Sequence, residues 1–215
     1  MKLTQSLFLQ GSAGKLESLY NPQSLPKFLA VCCHPHPLYE GTMHNKVIVG
    51  AANTLWELGG AVLRFNFRGV MESEGKYDNG IGEEEDVKTA CEFLLREYAH
   101  TNAPLLVCGF SFGAWVGLKY GSKDERVKYL VGLGLPLRLF DAPYLKTLHT
   151  PKLIIWGDQD EYNPMEKISS VIEEIAEPKT IEIIDDADHF FTAKLHVMRE
   201  ILGQWVRKTV LTETC

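Results

Sequence analysis

The chain has 215 residues, 45% apolar and 23% charged, which suits a globular protein with a sizeable core. A formal net charge of −6 without any Lys/Arg-rich run excludes the basic footprint of a nucleic-acid or anionic-membrane binder. No apolar run reaches the roughly 18 residues of a membrane span, and Thr4, Gln5 and Ser6 interrupt the opening MKLTQSLFLQGSAG, so no signal peptide is expected there.

Residues 4–9 and 15–20 each resemble a short strand, and Gly11-Ser12-Ala13-Gly14 between them predicts a hairpin turn. FLAVCC, 28–33, is a continuous apolar run, as in a strand buried on both faces. Helical spacing follows over 43–58 and stops at Gly59-Gly60. AVLRFNF, 61–67, is strand-like. Residues 83–98 read as a helix whose acidic first turn suits the positive end of the helix dipole. A buried strand at 104–110 precedes a helix at 113–121, and a further strand spans 127–134. Residues 135–151 form the longest irregular connection. Strand 152–157, helix 164–176, strand 179–184 and helix 192–208 complete the series. Such alternation predicts an α/β fold, with a mainly parallel central sheet, helices on both faces and an antiparallel N-terminal hairpin. No linker or internal repeat divides the chain, so one domain over 1–215 is expected. The five cysteines, Cys32, Cys33, Cys91, Cys108 and Cys215, are odd in number and suggest no disulfide framework. A reduced, cytoplasmic protein is the expectation.

In parallel sheets the chemistry collects beyond the C-terminal ends of the strands, and each motif falls there. GFSFG, 109–113, fits G-x-S-x-G between a strand and a helix, the setting that presents a serine hydroxyl on a sharp turn above a helix N-terminus. The bland alternative is a glycine-flanked helix cap. A serine hydroxyl is a poor nucleophile and needs a base held by a carboxylate, in the chain order Ser, Asp/Glu, His. KLIIWGDQDEYNP offers Asp158 and Asp160 just past one strand, and TIEIIDDADHFF offers His189 just past the next. We take Ser111 as nucleophile and His189 as base. Asp160 is the preferred acid because it lies further out, with Asp158 as the alternative.

Attack on a carbonyl also needs two aimed N–H donors for the oxyanion. One is expected from Phe112, the residue after the nucleophile. The other is expected from the loop His34-Pro35-His36-Pro37, where the prolines carry no N–H and leave His36 and Leu38 as nearby donors. Flanking prolines restrict the backbone of His36, which favours it. A metal site on His34, His36 and His44 is the competing reading, but H-P-H lacks helical i, i+4 spacing and no third ligand is obvious. No metal and no cofactor are expected. In the loop 65–86, Arg68 is expected to pair with Asp86 or Glu83 as a brace, and Ser73 is a weak candidate for the pocket rim.

Together these residues resemble the α/β-hydrolase superfamily, and more narrowly its small, lidless members related to dienelactone hydrolase. The resemblance rests on His34 to Pro37, Asn45-Lys46-Val47, Phe67-Arg68-Gly69, Gly109 to Gly113 and Asp188-His189-Phe190, and spans nearly the whole chain. It implies Ser111, Asp160 and His189 as triad and His36 with Phe112 as oxyanion donors. Dienelactone hydrolase itself carries cysteine as nucleophile; here the residue is serine. The relatives' Val-Gly-x-Ser reads Val70-Met71-Glu72-Ser73 here, which puts the local turn and one pocket wall in question. With little room between 134 and 152, no large lid domain is expected and the pocket should be open. Leu38, Tyr39, Phe110 and Phe190 are its expected lining, with Phe112, Trp115 and Phe191 nearby. The expected activity is metal-independent, carboxylesterase-like hydrolysis of a small-molecule ester or thioester through an acyl-enzyme. A peptidase or acyltransferase on the same triad, and a non-catalytic binding protein, are the alternatives. Partners are expected to be small molecules, not nucleic acid or membrane; the oligomeric state, monomer or homodimer, is open.

Overall fold

The computed structural model describes residues 4–212. Cys215 and the first three residues lie outside them. The elements run β1 (Gln5–Gly11), β2 (Gly14–Asn21), β3 (Phe28–Cys33), α1 (Lys46–Glu57), β4 (Gly60–Phe65), α2 (Gly82–Glu97), β5 (Leu105–Phe110), α3 (Phe112–Gly121) and β6 (Val127–Leu133). Then come β7 (Lys152–Gly157), α4 (Met165–Ile172), β8 (Lys179–Ile184) and α5 (Leu195–Trp205).

One sheet takes the order β1-β2-β4-β3-β5-β6-β7-β8. The β1–β2 hairpin joins antiparallel to β4, and all pairings from β4 to β8 are parallel. Every residue of β3, β4, β5 and β7 is buried. This is why β3 and β5 read as unbroken apolar runs, and why β4 and β7 are interrupted only by Arg64 and Lys152: helices cover both faces, so neither face needs polar residues. The two-residue period still operates inside β3. Leu29, Val31 and Cys33 face the core under α2 and α3, while Phe28, Ala30 and Cys32 face the core under α1 and α5. Five parallel crossovers bring the ends of β3 to β8 to one edge, where the motif loops emerge.

Helix ends differ from the expected ones for local reasons. α1 begins at Lys46, because Asn45 caps it by accepting the Val47 N–H on Oδ1 at 2.9 Å. α5 starts only at Leu195, since Phe191 and Ala193 hold left-handed φ angles of 52° and 60°. α4 stops at Ile172, ahead of Pro178. The long connection after β6 contains one short 3₁₀ turn, Pro143–Lys146, and no lid.

The 65–86 loop is braced from within. Arg68 and Asp86 form a bidentate, buried pair, with the Arg68 Nη2 to Asp86 Oδ1 distance at 2.8 Å. Removing one partner of such a pair costs about 3–5 kcal/mol, against less than about 1 kcal/mol for an exposed pair. Ser73 belongs to the same brace and not to a pocket rim. Its hydroxyl donates to Asn66 O at 2.8 Å and accepts the Glu17 N–H at 2.9 Å.

Met71 occupies a left-handed conformation, φ 49°, that glycine adopts freely. Its side chain is 61% exposed, so little packing opposes removing it. Left-handed backbone costs a non-glycine residue about 1–2 kcal/mol, partly offset by the unfolded-state entropy that glycine adds. Met71→Gly is therefore expected to raise the unfolding free energy by about 0.5–1 kcal/mol, read as an increased urea midpoint at unchanged m-value.

Candidate active site

Ser111 sits between the last residue of β5 and the first of α3 with φ 55° and ψ −122°. That strained turn is held from both sides. The Ser111 N–H donates to Leu133 O at 2.8 Å, and its carbonyl accepts the N–H groups of Ala114 and Trp115 at 2.9 and 3.1 Å. A Cβ at Gly109 would lie 2.2 Å from Gly113 O, and one at Gly113 would lie 2.3 Å from Cys33 O. The two glycines of the motif thus let β5, α3 and β3 close on one another, which presents the hydroxyl at the sheet edge.

His189 follows β8 and lies almost buried, 3% exposed. Its Nε2 is 2.9 Å from Ser111 Oγ and its Nδ1 is 2.8 Å from Asp160 Oδ2. Asp160 is fixed in turn by the Tyr162 N–H on Oδ1 and by the Asn163 Nδ2 amide on Oδ2, both at 2.8 Å. With these donors the carboxylate faces the imidazole and cannot swing away. Asp158, the alternative acid, forms no hydrogen bond with His189 among the described residues. Its N–H donates to Ile184 O at 3.2 Å, tying the turn after β7 to β8, while its Oδ1 is buried with no hydrogen-bond partner among the described residues.

The His-Pro-His-Pro loop is rigid for reasons beyond its prolines. The His36 carbonyl accepts the N–H groups of Tyr39 and Gly41, each at 3.1 Å. The Leu38 N–H donates to His36 Nδ1 at 3.1 Å, so this donor is already engaged. No acceptor takes the N–H of His36 or of Phe112 among the described residues. His34 is wholly buried, and both ring nitrogens are committed to backbone: Nε2 accepts the Phe67 N–H at 2.9 Å and Nδ1 donates to Pro35 O at 2.6 Å. A ring so engaged offers no free nitrogen to a metal, which removes the first ligand of the competing reading. Burial pushes the His34 pKa down to about 3, partly countered by the bond to Pro35 O. Burial also lowers that of His36.

A cavity of about 470 Å³ opens over Ser111 and His189. Tyr39 and Phe190 line it as expected, together with Leu139, Phe140 and Tyr162. Two expected lining residues do not. Leu38 is 65% exposed and turned to solvent, because its backbone closes the tight turn on His36. Phe110 is fully buried and lies beneath the imidazole, ring centroids 5.1 Å apart. As the last residue of β5 it faces the core, while the following serine breaks outward. Phe191 and Met71 also lie outside the cavity, so the Met71 departure leaves its walls untouched. Asn163 was invisible to motif reasoning. Its one sequence signal is the Asp160-x-x-Asn163 spacing just before Pro164, which suits a side chain folding back on the turn.

The sequence profile described as an alpha/beta hydrolase domain matches residues 41–206, and the chain belongs to the α/β-hydrolase family. A serine hydrolase homologue from Coxiella burnetii is 35% identical with a TM-score of 0.85, covering 93% of this chain and 96% of that one. A lidless α/β serine hydrolase from Xanthomonas campestris is 32% identical with a TM-score of 0.87, covering 95% and 94%. An uncharacterised protein of Rickettsia prowazekii is 31% identical over 209 residues, 93% of this chain and 87% of its own.

The buried neutral His34 gives stability a pH slope. Its pKa is lower folded than unfolded, so the unfolded chain binds the extra proton between about pH 6.5 and pH 3, and stability falls as pH falls through that window. His34→Gln is expected to be less stable at neutral pH but to lose less on acidification to about pH 4, by up to about 3 kcal/mol. Urea titrations of both proteins across this range check the sign.

Proposed function

We propose that the chain is a serine hydrolase that cleaves a small-molecule carboxylic ester or thioester through an acyl-enzyme, without a metal or cofactor. The observation that carries this reading is the hydrogen-bonded chain from Ser111 Oγ through His189 to Asp160, at 2.9 and 2.8 Å. With the Nδ1 proton donated to Asp160, Nε2 keeps its lone pair for the serine proton. Ser111 Oγ attacks the carbonyl carbon as His189 takes that proton. The carbonyl π electrons move onto oxygen, and the unengaged N–H groups of His36 and Phe112 hold the oxyanion. On collapse the bond to the leaving group breaks, and His189 returns the proton to it. Water, deprotonated by His189, then releases the acid and restores Ser111.

The open cavity, walled by aromatic rings, favours a small substrate over an extended peptide. No helix of the described residues is long and apolar enough to cross a membrane. The described cysteines are buried free thiols, which suits a reducing, cytoplasmic setting.

Ser111→Ala is expected to remove fluorophosphonate labelling and to lower ester turnover by at least about 10³-fold. Asp160→Asn should cost about 10³–10⁴-fold in kcat/KM with the fold intact, since Asn cannot hold the imidazole in the same tautomer. Asp158→Asn should stay within about tenfold of wild type. The opposite ranking of the two Asn variants would reassign the acid, and persistent labelling of Ser111→Ala would overturn the reading. Turnover that disappears with a chelator would favour the metal-dependent alternative.

A further inference from the structure

Two cavities flank the segment 135–146. One, of about 470 Å³, holds Ser111 and His189; the other, of about 320 Å³, lies between this segment and α4. Among the described residues Phe140 alone lines both. Its ring is stacked on Trp115, with centroids 4.5 Å apart and planes inclined by 20°, and lies 5.8 Å from Phe112. The segment is tied to α3 at the same point. Trp115 Nε1–H donates to Asp141 O, and the Tyr144 hydroxyl donates to Trp115 O, each at 2.9 Å. Phe140 is thus a fixed wall between two spaces.

The chemistry says which part of a substrate meets that wall. Once Ser111 has attacked, the tetrahedral carbon carries three other groups. His189 must deliver a proton to the leaving group, so that group lies toward His189, where the rings of Tyr162 and Phe190 stand 4.7 and 5.3 Å from the imidazole. The oxyanion turns to the amides of His36 and Phe112. The acyl group takes what remains of the cavity, whose lining includes Leu139 and Phe140. Behind Phe140 the second cavity is lined by the buried Leu137, Leu145 and Ile175, and also by Lys167 and the exposed ion pair Lys146–Glu174 at 3.0 Å.

We propose that Phe140 is a specificity-determining partition that limits the acyl group to short chains, and that the second cavity is a closed-off continuation of the acyl site. The proposal rests on the ester-hydrolase reading above. A hydrophobic pocket discriminates by about tenfold or more per methylene it can or cannot accept, so moving the wall should reshape the chain-length profile strongly.

The test uses p-nitrophenyl acetate, butyrate and octanoate with wild type, Phe140→Ala, Phe140→Leu, Val171→Trp and the Phe140→Ala/Val171→Trp double variant. Val171 lines only the second cavity. Wild-type kcat/KM should fall steeply from butyrate to octanoate. Phe140→Ala should raise the octanoate-to-butyrate ratio by about tenfold or more, and Phe140→Leu, which keeps a bulky apolar side chain and safeguards the fold, by less. Val171→Trp alone should leave the profile unchanged, and in the Phe140→Ala background it should remove the gain. An unchanged ratio in both Phe140 variants, a gain that Val171→Trp fails to remove, or an altered profile in Val171→Trp alone overturns the partition while esterase activity stands. No turnover above Ser111→Ala on any ester overturns the hydrolase reading and the acyl assignment with it.

Discussion

The site depends on one constrained residue. Ser111 must leave β5 and enter α3 in a single step, and the left-handed backbone this requires, φ 55°, costs a non-glycine residue about 1–3 kcal/mol. The surrounding structure over-determines it. β5 is buried along its whole length, α3 buries most of its residues, and the Ser111 amide is anchored on the neighbouring strand through Leu133 O at 2.8 Å. Neither strand nor helix can relax without disturbing the other. The hydroxyl therefore projects from a turn that has no lower-energy route open to it while the sheet is folded.

The partners of Ser111 are placed by the same logic of adjacent strands. β7 and β8 run parallel, in register from Lys152↔Lys179 to Gly157↔Ile184, so the loops that follow them start side by side. The first turn after β7 bonds to the end of β8 and to the loop beyond it, through Asp158 N–H to Ile184 O and Gln159 N–H to Ala187 O at 3.2 and 3.0 Å. Asp160 and His189 are then two short loops apart in space although 29 residues apart in sequence. On the far side, the loop after β3 is fixed to the loop after β4 by the His34 ring, which accepts the Phe67 N–H. That contact explains why a histidine opens the His-Pro-His-Pro run. Its ring bridges two backbones, with both nitrogens committed to them.

Much of this was legible in the residues. Uniform apolar runs identify strands covered on both faces, and glycine clusters mark most turns. The order Ser, Asp, His, each beyond a strand, anticipates a contact that only folding makes. Helix starts were less legible, because caps such as Asn45 and the positive φ values at Phe191 and Ala193 depend on where loops must go next. Pocket lining was read poorly where proximity in sequence stood in for direction. Phe110 and Leu38 adjoin motif residues, yet one is turned inward by the strand alternation and the other outward by a turn closed on His36. Leu139 and Phe140 lie in the apolar stretch LPLRLFDAPYL, 135–145, which is expected to border the site without singling them out, whereas Asn163, in the turn after β7, is marked by no motif.

Asn163 joins the turn that carries Asp160 to the connection after β6, beside the Arg138 N–H that donates to Tyr162 O at 3.2 Å. Its Nδ2 holds Asp160 Oδ2 at 2.8 Å and its Oδ1 accepts the Leu137 N–H at 2.9 Å, while Trp115 and Tyr144 fasten the other end of the same connection. The stretch between these two fastenings hangs from them like a span between piers. Divergent paralogues, or an engineer grafting a foreign loop, can change side chains at 138, 139, 142 and 143 most readily, because Phe140 stacks on Trp115 and the backbone at 141 accepts its indole N–H. A proline introduced at 137 removes the N–H that Asn163 accepts and frees the amide that holds Asp160, so that an edit to one wall of the cavity reaches the carboxylate beside His189.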